Sequence, residues 1–381
     1  MKITIWHNIL WSRYKAVVLS AVWRQARDKG VTATFYQVAE TDLNRIGLSP
    51  VDLSWHTYPY RLLFQGAYSA IPKLELYRTL AKEVWIDQSD VTILCGYDRP
   101  EVWLQAFILR LRGRRFALFC DSTIHDRPQR FLTGLAKRII FNLADGLFCY
   151  GRRTVEYVNH YGVSSSRSFD RCQAAALPRN YSAEDALSKR QRNAPSESAP
   201  PRYLYVGRLS PEKSLDHLLR AFKLTLGQRP SASLVLVGKG QSEQDLRDLA
   251  DGLNITSNVV FAGPKYDTEL FDEYSKASCL ILPSQSEPWG LVVNEALSYG
   301  CPTIASNRCG CVPELVCDGE TGFVFEWGNI EELATKMTAV PDVFSHTTTT
   351  AKACIRQIEQ YTPESAAGSI LLGCETICSA A

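Results

Sequence analysis

Residues 203–214 read YLYVGRLSPEKS and residues 279–300 read CLILPSQSEPWGLVVNEALSYG. In each, a short apolar run ends in a turn rich in Gly or Pro, and a segment with helical spacing follows. After the first run, Leu215, Leu218, Leu219 and Phe222 share one helical face; after the second, Leu291 to Tyr299 reads as a helix. Short apolar strands alternating with helices mean βαβ units and a parallel sheet. The same rhythm recurs at SLVLVG (233–238), NVVFAG (258–263), PTIAS (302–306) and TGFVF (321–325). It returns less cleanly in the N-terminal half, where strands are expected at 2–6, 32–38, 91–95, 116–120 and 146–150. The expected fold class is α/β, with two Rossmann-like domains facing across a cleft. Parallel sheets of this kind bind ligands at the carboxyl ends of their strands, and clefts are the usual ligand sites. The segment ALSKRQRNAPSESAPP (186–201), rich in Ser, Pro and charge, reads as a linker between domains at 1–185 and 202–360.

Composition narrows the function classes. The chain has 381 residues, 45% of them apolar, with 42 Lys and Arg against 40 Asp and Glu. That excludes a disordered tail protein, a collagen-like repeat and a nucleic-acid coat. The net charge of +2 hides a split: residues 1–185 carry a balance of +8 and residues 186–381 a balance of −6. No run approaches the roughly 20 apolar residues that a membrane span needs. The opening MKITIWHNILWSRYK is interrupted by His7, Asn8, Arg13 and Lys15, so Ile3 to Trp6 reads as a buried first strand rather than a signal peptide. Twelve cysteines without a signal are expected as reduced thiols in the cytoplasm. Cys301, Cys309, Cys311 and Cys317 cluster in sequence but offer only one CxC pair, so they read as core and loop fillers and no metal is expected.

Two turns carry the candidate chemistry. In the first, Ser210 reads as an N-cap and Pro211 as the first helical position, which puts Lys213 in the first turn of a helix. The macrodipole disfavours a cation there, so an anion held by Arg208, Lys213 and the helix N-terminus would explain the placement. A solvated Lys213 paired with Asp216 explains the spacing as well. In the second turn, Glu287 lies in the loop and Glu295 about one turn into the helix. Backbone amides at the helix start could take a phosphate, with a carboxylate on either side for sugar hydroxyls. Two surface glutamates would look the same in sequence. A dinucleotide fingerprint fails locally, because Gly238-Lys239-Gly240 is followed by Glu243 where a third glycine belongs.

Taken together, VGRLSPEKS, GKG (238–240), FAG (261–263), SEPWGLVVNEALSYGCPTIAS, CGCVPELV and DGETGFVF resemble glycosyltransferase family four in order and spacing over roughly residues 203–340. That resemblance implies the GT-B architecture and a retaining transfer of a hexosyl group from a nucleoside-diphosphate sugar. It implies that Arg208 and Lys213 bind the diphosphate, Glu287 the hexose and Glu295 the ribose. Trp289, Gly290 and Leu291 would supply backbone contacts, and Gly263, Lys265 and Tyr266 would lie near the base. The segment 361–381 resembles the terminal helix that in this fold returns to the N-terminal domain.

The N-terminal half departs from the family pattern. His7 to Lys15 stands where many members have a Gly-rich loop, and Cys120-Asp121-Ser122 where many place a histidine facing the transferred sugar. Asp121 takes that position, with His125 the fallback. The expected acceptor is a glycan or lipid-linked saccharide in cell-surface polysaccharide synthesis, and no cofactor or metal is expected. A nucleotide-sugar epimerase and a non-catalytic sugar-nucleotide-binding subunit are the alternatives. Arg110, Arg112, Arg114, Arg115, Arg127, Arg130, Lys137 and Arg138, interleaved with Phe131, Leu132, Leu135, Ile139 and Ile140, read as a surface for anionic lipid or as a solvated helix face. The first option makes the protein cytoplasmic and peripheral on the membrane; nucleic acid is not an expected partner.

Overall fold

In the computed structural model, apolar runs with few charges form strands buried on both faces, as parallel sheets require. The structure describes residues 1–45, 51–126, 131–196 and 199–380. The chain divides into two compact units, residues 1–176 with the segment from Tyr361 onward, and residues 177–360.

The first unit holds β1 (Lys2–Ile9), β2 (Thr32–Ala39), β3 (Arg61–Leu62), β4 (Val91–Cys95), β5 (Arg115–Cys120), β6 (Gly146–Cys149) and β7 (Ser168–Phe169). Their order in the sheet is β3-β2-β1-β4-β5-β6-β7, and the pairs are parallel. The two-residue edge strands β3 and β7 carry no apolar run and were not legible in sequence. Alternation along the strands builds two cores. Ile3, Ile5, Phe35 and Ile93 pack with Val18, Val22, Ile370 and Leu371 on one side; Trp6, Tyr36, Leu94 and Leu118 pack with Leu76, Leu80 and Leu109 on the other. Trp6 stacks on Tyr36 with ring centroids 4.2 Å apart. The helix Pro363–Ser379 starts with Thr362, whose hydroxyl accepts from the Ser365 amide, and packs against the helix Arg13–Asp28.

The second unit holds β8 (Arg202–Val206), β9 (Ser233–Val237), β10 (Val259–Gly263), β11 (Cys279–Leu282), β12 (Thr303–Ser306) and β13 (Gly322–Phe325). All pairs in the order β10-β9-β8-β11-β12-β13 are parallel. The order turns at β8/β11, as it does at β1/β4 in the first unit. Each turning point opens a crevice at the strand carboxyl ends.

Three expectations need correction. The expected linker is mostly a helix, Ala183–Asn193, and it belongs to the second unit. Its charge suggested solvent, but Arg190 is 4% exposed and donates to the carbonyls of Tyr274, Ser275 and Ala277, which close the helix Asp267–Lys276. Glu197 and Ser198 of that segment lie outside the described residues. The first boundary accordingly falls at 176/177 rather than at 185. The basic surface at 110–138 is largely engaged. Arg110 pairs with Asp145, Arg112 donates to the carbonyls of Val84 and Asp87, and Arg115 donates to Cys378. Lys137 is buried between Tyr157 and Tyr161. Arg127 and Arg130 lie outside the described residues. The helix Phe131–Leu143 does leave Phe131, Leu132, Leu135 and Ile139 exposed. Finally, no α-helix starts at Ser210. Pro211–Lys213 is a single 3-10 turn, Ser214 is left-handed at φ +49°, and the helix runs from Leu215 to Leu226. Lys213 is therefore not in the first turn of that helix.

Candidate nucleotide-sugar site

Three strand ends meet at the β8/β11 crevice. The amide of Gly207, after β8, donates to Val237 at the end of β9, and the amide of Gly238 donates to Gly263 at the end of β10. The loops touch so closely that a Cβ on Gly238 would sit 1.9 Å from the Gly207 carbonyl oxygen, so only glycine fits. The Gln285 amide, after β11, donates to the Glu212 carbonyl at 2.9 Å. That bond ties the two turns singled out in the sequence to one another.

Their side chains then meet. Lys213 is 9% exposed, and its Nζ lies 2.5 Å from Glu287 Oε2. Asp216, the alternative partner, instead lies beside His217. A mostly buried ion pair is stabilising only when geometry is good, and losing either member leaves the other charge uncompensated. Arg208 is the exposed member of the site, held 2.9 Å from Glu212 across one turn.

The helix Leu291–Ser298 begins at Gly290, whose φ of +106° suits glycine and aims the chain sharply into the helix. The first amides of a helix, here Leu291 among them, have no acceptor earlier in the helix. Glu295 accepts a hydrogen bond from the Tyr274 hydroxyl at 2.7 Å. Burial pushes its carboxyl up to about 7, against the opposing effect of that hydrogen bond. It is a carboxylate poised to change charge near neutrality.

Not every expected side chain is placed to meet a ligand. The Trp289 indole is 2% exposed and donates to Asn294, so it anchors the loop from within and only its backbone remains for contact. Lys265 is bound to Glu273, which also holds Arg202, so its ammonium serves that ion triad rather than a base. Gly263, at φ +68°, and the 44% exposed Tyr266 stay open at the end of β10. Among the described residues no three His, Cys, Asp or Glu side chains gather as a metal site, and Cys301, Cys309 and Cys311 are buried in the core.

In the first unit, Asp121 follows β5 and lines a cavity of about 310 Å³ at the β1/β4 crevice, together with His7, Lys15, Arg99 and Tyr150. His125 is exposed in the next turn and does not line it. Sequence reasoning passed over Lys15 and His7. The signal was a cation and an imidazole interrupting an apolar N-terminus.

Residues 188–342 match the family model described as glycosyl transferases group 1. The C-terminal unit belongs to the group 1 glycosyl transferases. Its motifs at 203–340 carry that membership. The chain is 35% identical over 144 residues to the sulfoquinovosyl transferase SQD2 of Arabidopsis thaliana, covering 37% of this chain and 26% of that protein. It is 31% identical over 224 residues to a D-inositol 3-phosphate glycosyltransferase of Rhodococcus jostii, covering 57% and 49%. The matches thus span between a quarter and a half of these relatives' lengths. Among solved structures, the lipopolysaccharide outer core galactosyltransferase WaaB in its apo form superposes with a TM-score of 0.73 at 16% identity, over 98% of this chain and 99% of that one. Alr3699/HepE of Anabaena, in complex with UDP, gives 0.71 at 19% over the same shares. At such identities the likeness concerns the fold: both units of this chain are the Rossmann-like units of the GT-B architecture.

Proposed function

We propose that this chain is a glycosyltransferase that moves a hexosyl group from a nucleoside-diphosphate sugar to a saccharide or lipid-linked acceptor, with retention and without a metal ion. The observation that carries this reading is the buried Lys213–Glu287 pair, bridging the β8 and β11 turns beside Arg208 and Glu295. The UDP held by the Anabaena neighbour and the transferase names of the relatives support it.

In this reading the diphosphate lies against Arg208, Lys213 and the amides at Leu291. Departure of the diphosphate builds negative charge on its oxygens, and these fixed cations stabilise it where other transferases use a divalent ion. Glu295 accepts from the ribose hydroxyls and Glu287 from the hexose. Glu287 is held by Lys213, which suits a hydroxyl acceptor better than a nucleophile in a double displacement. We therefore favour front-face transfer. Asp121, or a diphosphate oxygen, takes the acceptor proton. The exposed apolar face of the helix Phe131–Leu143 supports peripheral contact with anionic lipid on the cytoplasmic side, and failure to bind such vesicles at low salt would refute that part.

The test is a transfer assay with UDP-, GDP- and ADP-sugars, with and without acceptor saccharides. Wild type is expected to transfer only when acceptor is present and to keep its rate in EDTA. Lys213→Ala should lose about 100-fold or more. Consumption of donor to an isomeric free sugar nucleotide without acceptor would favour an epimerase instead.

A further inference from the structure

The first unit contains a group that its fold does not use. Lys15 sits in the first turn of the helix Arg13–Asp28, is 4% exposed, and lines the cavity of about 310 Å³ at the carboxyl ends of β1 and β4. Among the described residues its Nζ has no hydrogen-bond partner. It lies 4.5 Å from the centroid of the Phe119 ring and 4.6 Å from that of Tyr150. Those rings offer a cation–π contact, which stabilises an ammonium but satisfies none of its three donors. A cation in a helix's first turn also opposes the macrodipole. Burial pulls the lysine below its ordinary pKa, with Cys95 and Asp121 pulling the other way. Stability alone would select an apolar residue here, and sites that break local rules are where ligands act.

The remaining lining narrows the ligand. Arg45 and Arg99 join Lys15 as positive charges, and Asp42, Asp98 and Asp121 match the three with as many negative ones. His7 is neutral at pH 7, its pKa lowered to about 3 by burial. A simple anion would meet three carboxylates, and a simple cation would meet Lys15. A molecule with one oxyanion and several hydroxyls meets both demands, because carboxylates accept from hydroxyls and the ammonium donates to the oxyanion.

We propose that this cavity binds a sugar or polyol bearing one phosphate or carboxylate, with the oxyanion on Lys15 Nζ, and that this molecule is the acceptor. The cavity and its unpartnered ammonium stand on their own; the role of acceptor rests on the transferase reading above. The same chemistry would also suit the diphosphate of a donor, so the experiment separates the two.

Thermal unfolding of the full chain is followed with inorganic phosphate, glucose 6-phosphate, glucuronate, glucose and UDP, for wild type and for Lys15→Met. Methionine keeps the length and apolar stem, so the unliganded variant should be as stable as wild type or more so. Glucose 6-phosphate and glucuronate should stabilise wild type more than glucose does, and about tenfold higher concentration should be needed in Lys15→Met. UDP should stabilise both proteins equally. No stabilisation of wild type by any oxyanion, or equal stabilisation of both proteins, overturns the site. A loss of UDP affinity in Lys15→Met overturns the acceptor assignment in favour of the donor. Where UDP fails on both proteins, GDP and ADP take its place in the same comparison; failure of all three counts against the transferase reading and leaves the oxyanion arms to judge the cavity. Should Lys15→Met not fold, Lys15→Gln carries the same comparison, and the wild-type arms stand regardless.

Discussion

Lys213 and Glu287 show how little of a site a spacing argument resolves. The two lie 74 positions apart and meet at 2.5 Å. The sequence put both at strand ends but left Lys213 between a ligand role and Asp216, and only the fold of the turns decides against Asp216. Because each charge answers the other, Glu287→Ala should cost about 3 kcal/mol by stranding Lys213, whereas Lys213→Met with Glu287→Gln should cost much less, as read by urea unfolding. Glu295 yields a second prediction. Its carboxyl is raised above the ordinary value of 4.5, so the folded protein holds a proton the unfolded chain has released between about pH 4.5 and 7. The stability tied to that proton is complete below pH 4.5 and is lost as pH rises through 7. Glu295→Gln, which cannot ionise, should be the more stable protein at pH 8, by at most about 3 kcal/mol. Nucleotide affinity should move the other way, rising from pH 6 to pH 8 in wild type as the carboxylate forms, and staying flat in Glu295→Gln. A flat wild-type profile would remove the ribose role.

At the level of elements, periodicity served well where burial was two-sided. Ten of the eleven expected strands overlap β1, β2, β4 to β6 and β9 to β13, and the eleventh, 203–207, overlaps β8. The two-residue edges β3 and β7 had no pattern to find, since an edge strand need not be apolar. Capping rules misplaced the helix after β8, because Ser214 adopts a left-handed turn that no capping signal in Ser210-Pro211 announces. The helix Ala183–Asn193 was hidden by its own surface charges, and its one buried cation, Arg190, is the reason it docks. The close contact of the β8 and β9 turns gives a direct test. Gly238→Ala forces a methyl against the Gly207 carbonyl and should cost about 3 kcal/mol and the proposed donor site with it; unchanged thermal unfolding would mean that the turns yield.

For the whole molecule, the opposite charge balances of the two halves now have separate meanings. The acidic half carries the glutamates of the proposed nucleotide-sugar site, while much of the basic half's surplus holds carbonyls and carboxylates inside the first unit. The first unit also borrows its last helix from the end of the chain, since Ile370, Leu371, Cys374 and Ile377 complete the core beside β1, β4 and β6. Leu371→Ala should therefore lower the unfolding temperature of the first unit, at a cost of about 3 kcal/mol, while nucleotide binding to the second unit persists. The family membership and the positions of Arg208, Lys213, Glu287 and Glu295 were legible because their motifs are local. Lys15 was not, since its isolation depends on rings from β5 and the residue after β6 that no short window joins. The central claim, a nucleoside-diphosphate site built on the Lys213–Glu287 pair, is tested most directly by calorimetric titration of UDP, GDP and ADP into wild type and Lys213→Met/Glu287→Gln. One of the three should bind wild type, and its affinity should fall at least about 100-fold in the folded double variant; equal affinity for both proteins would contradict the account.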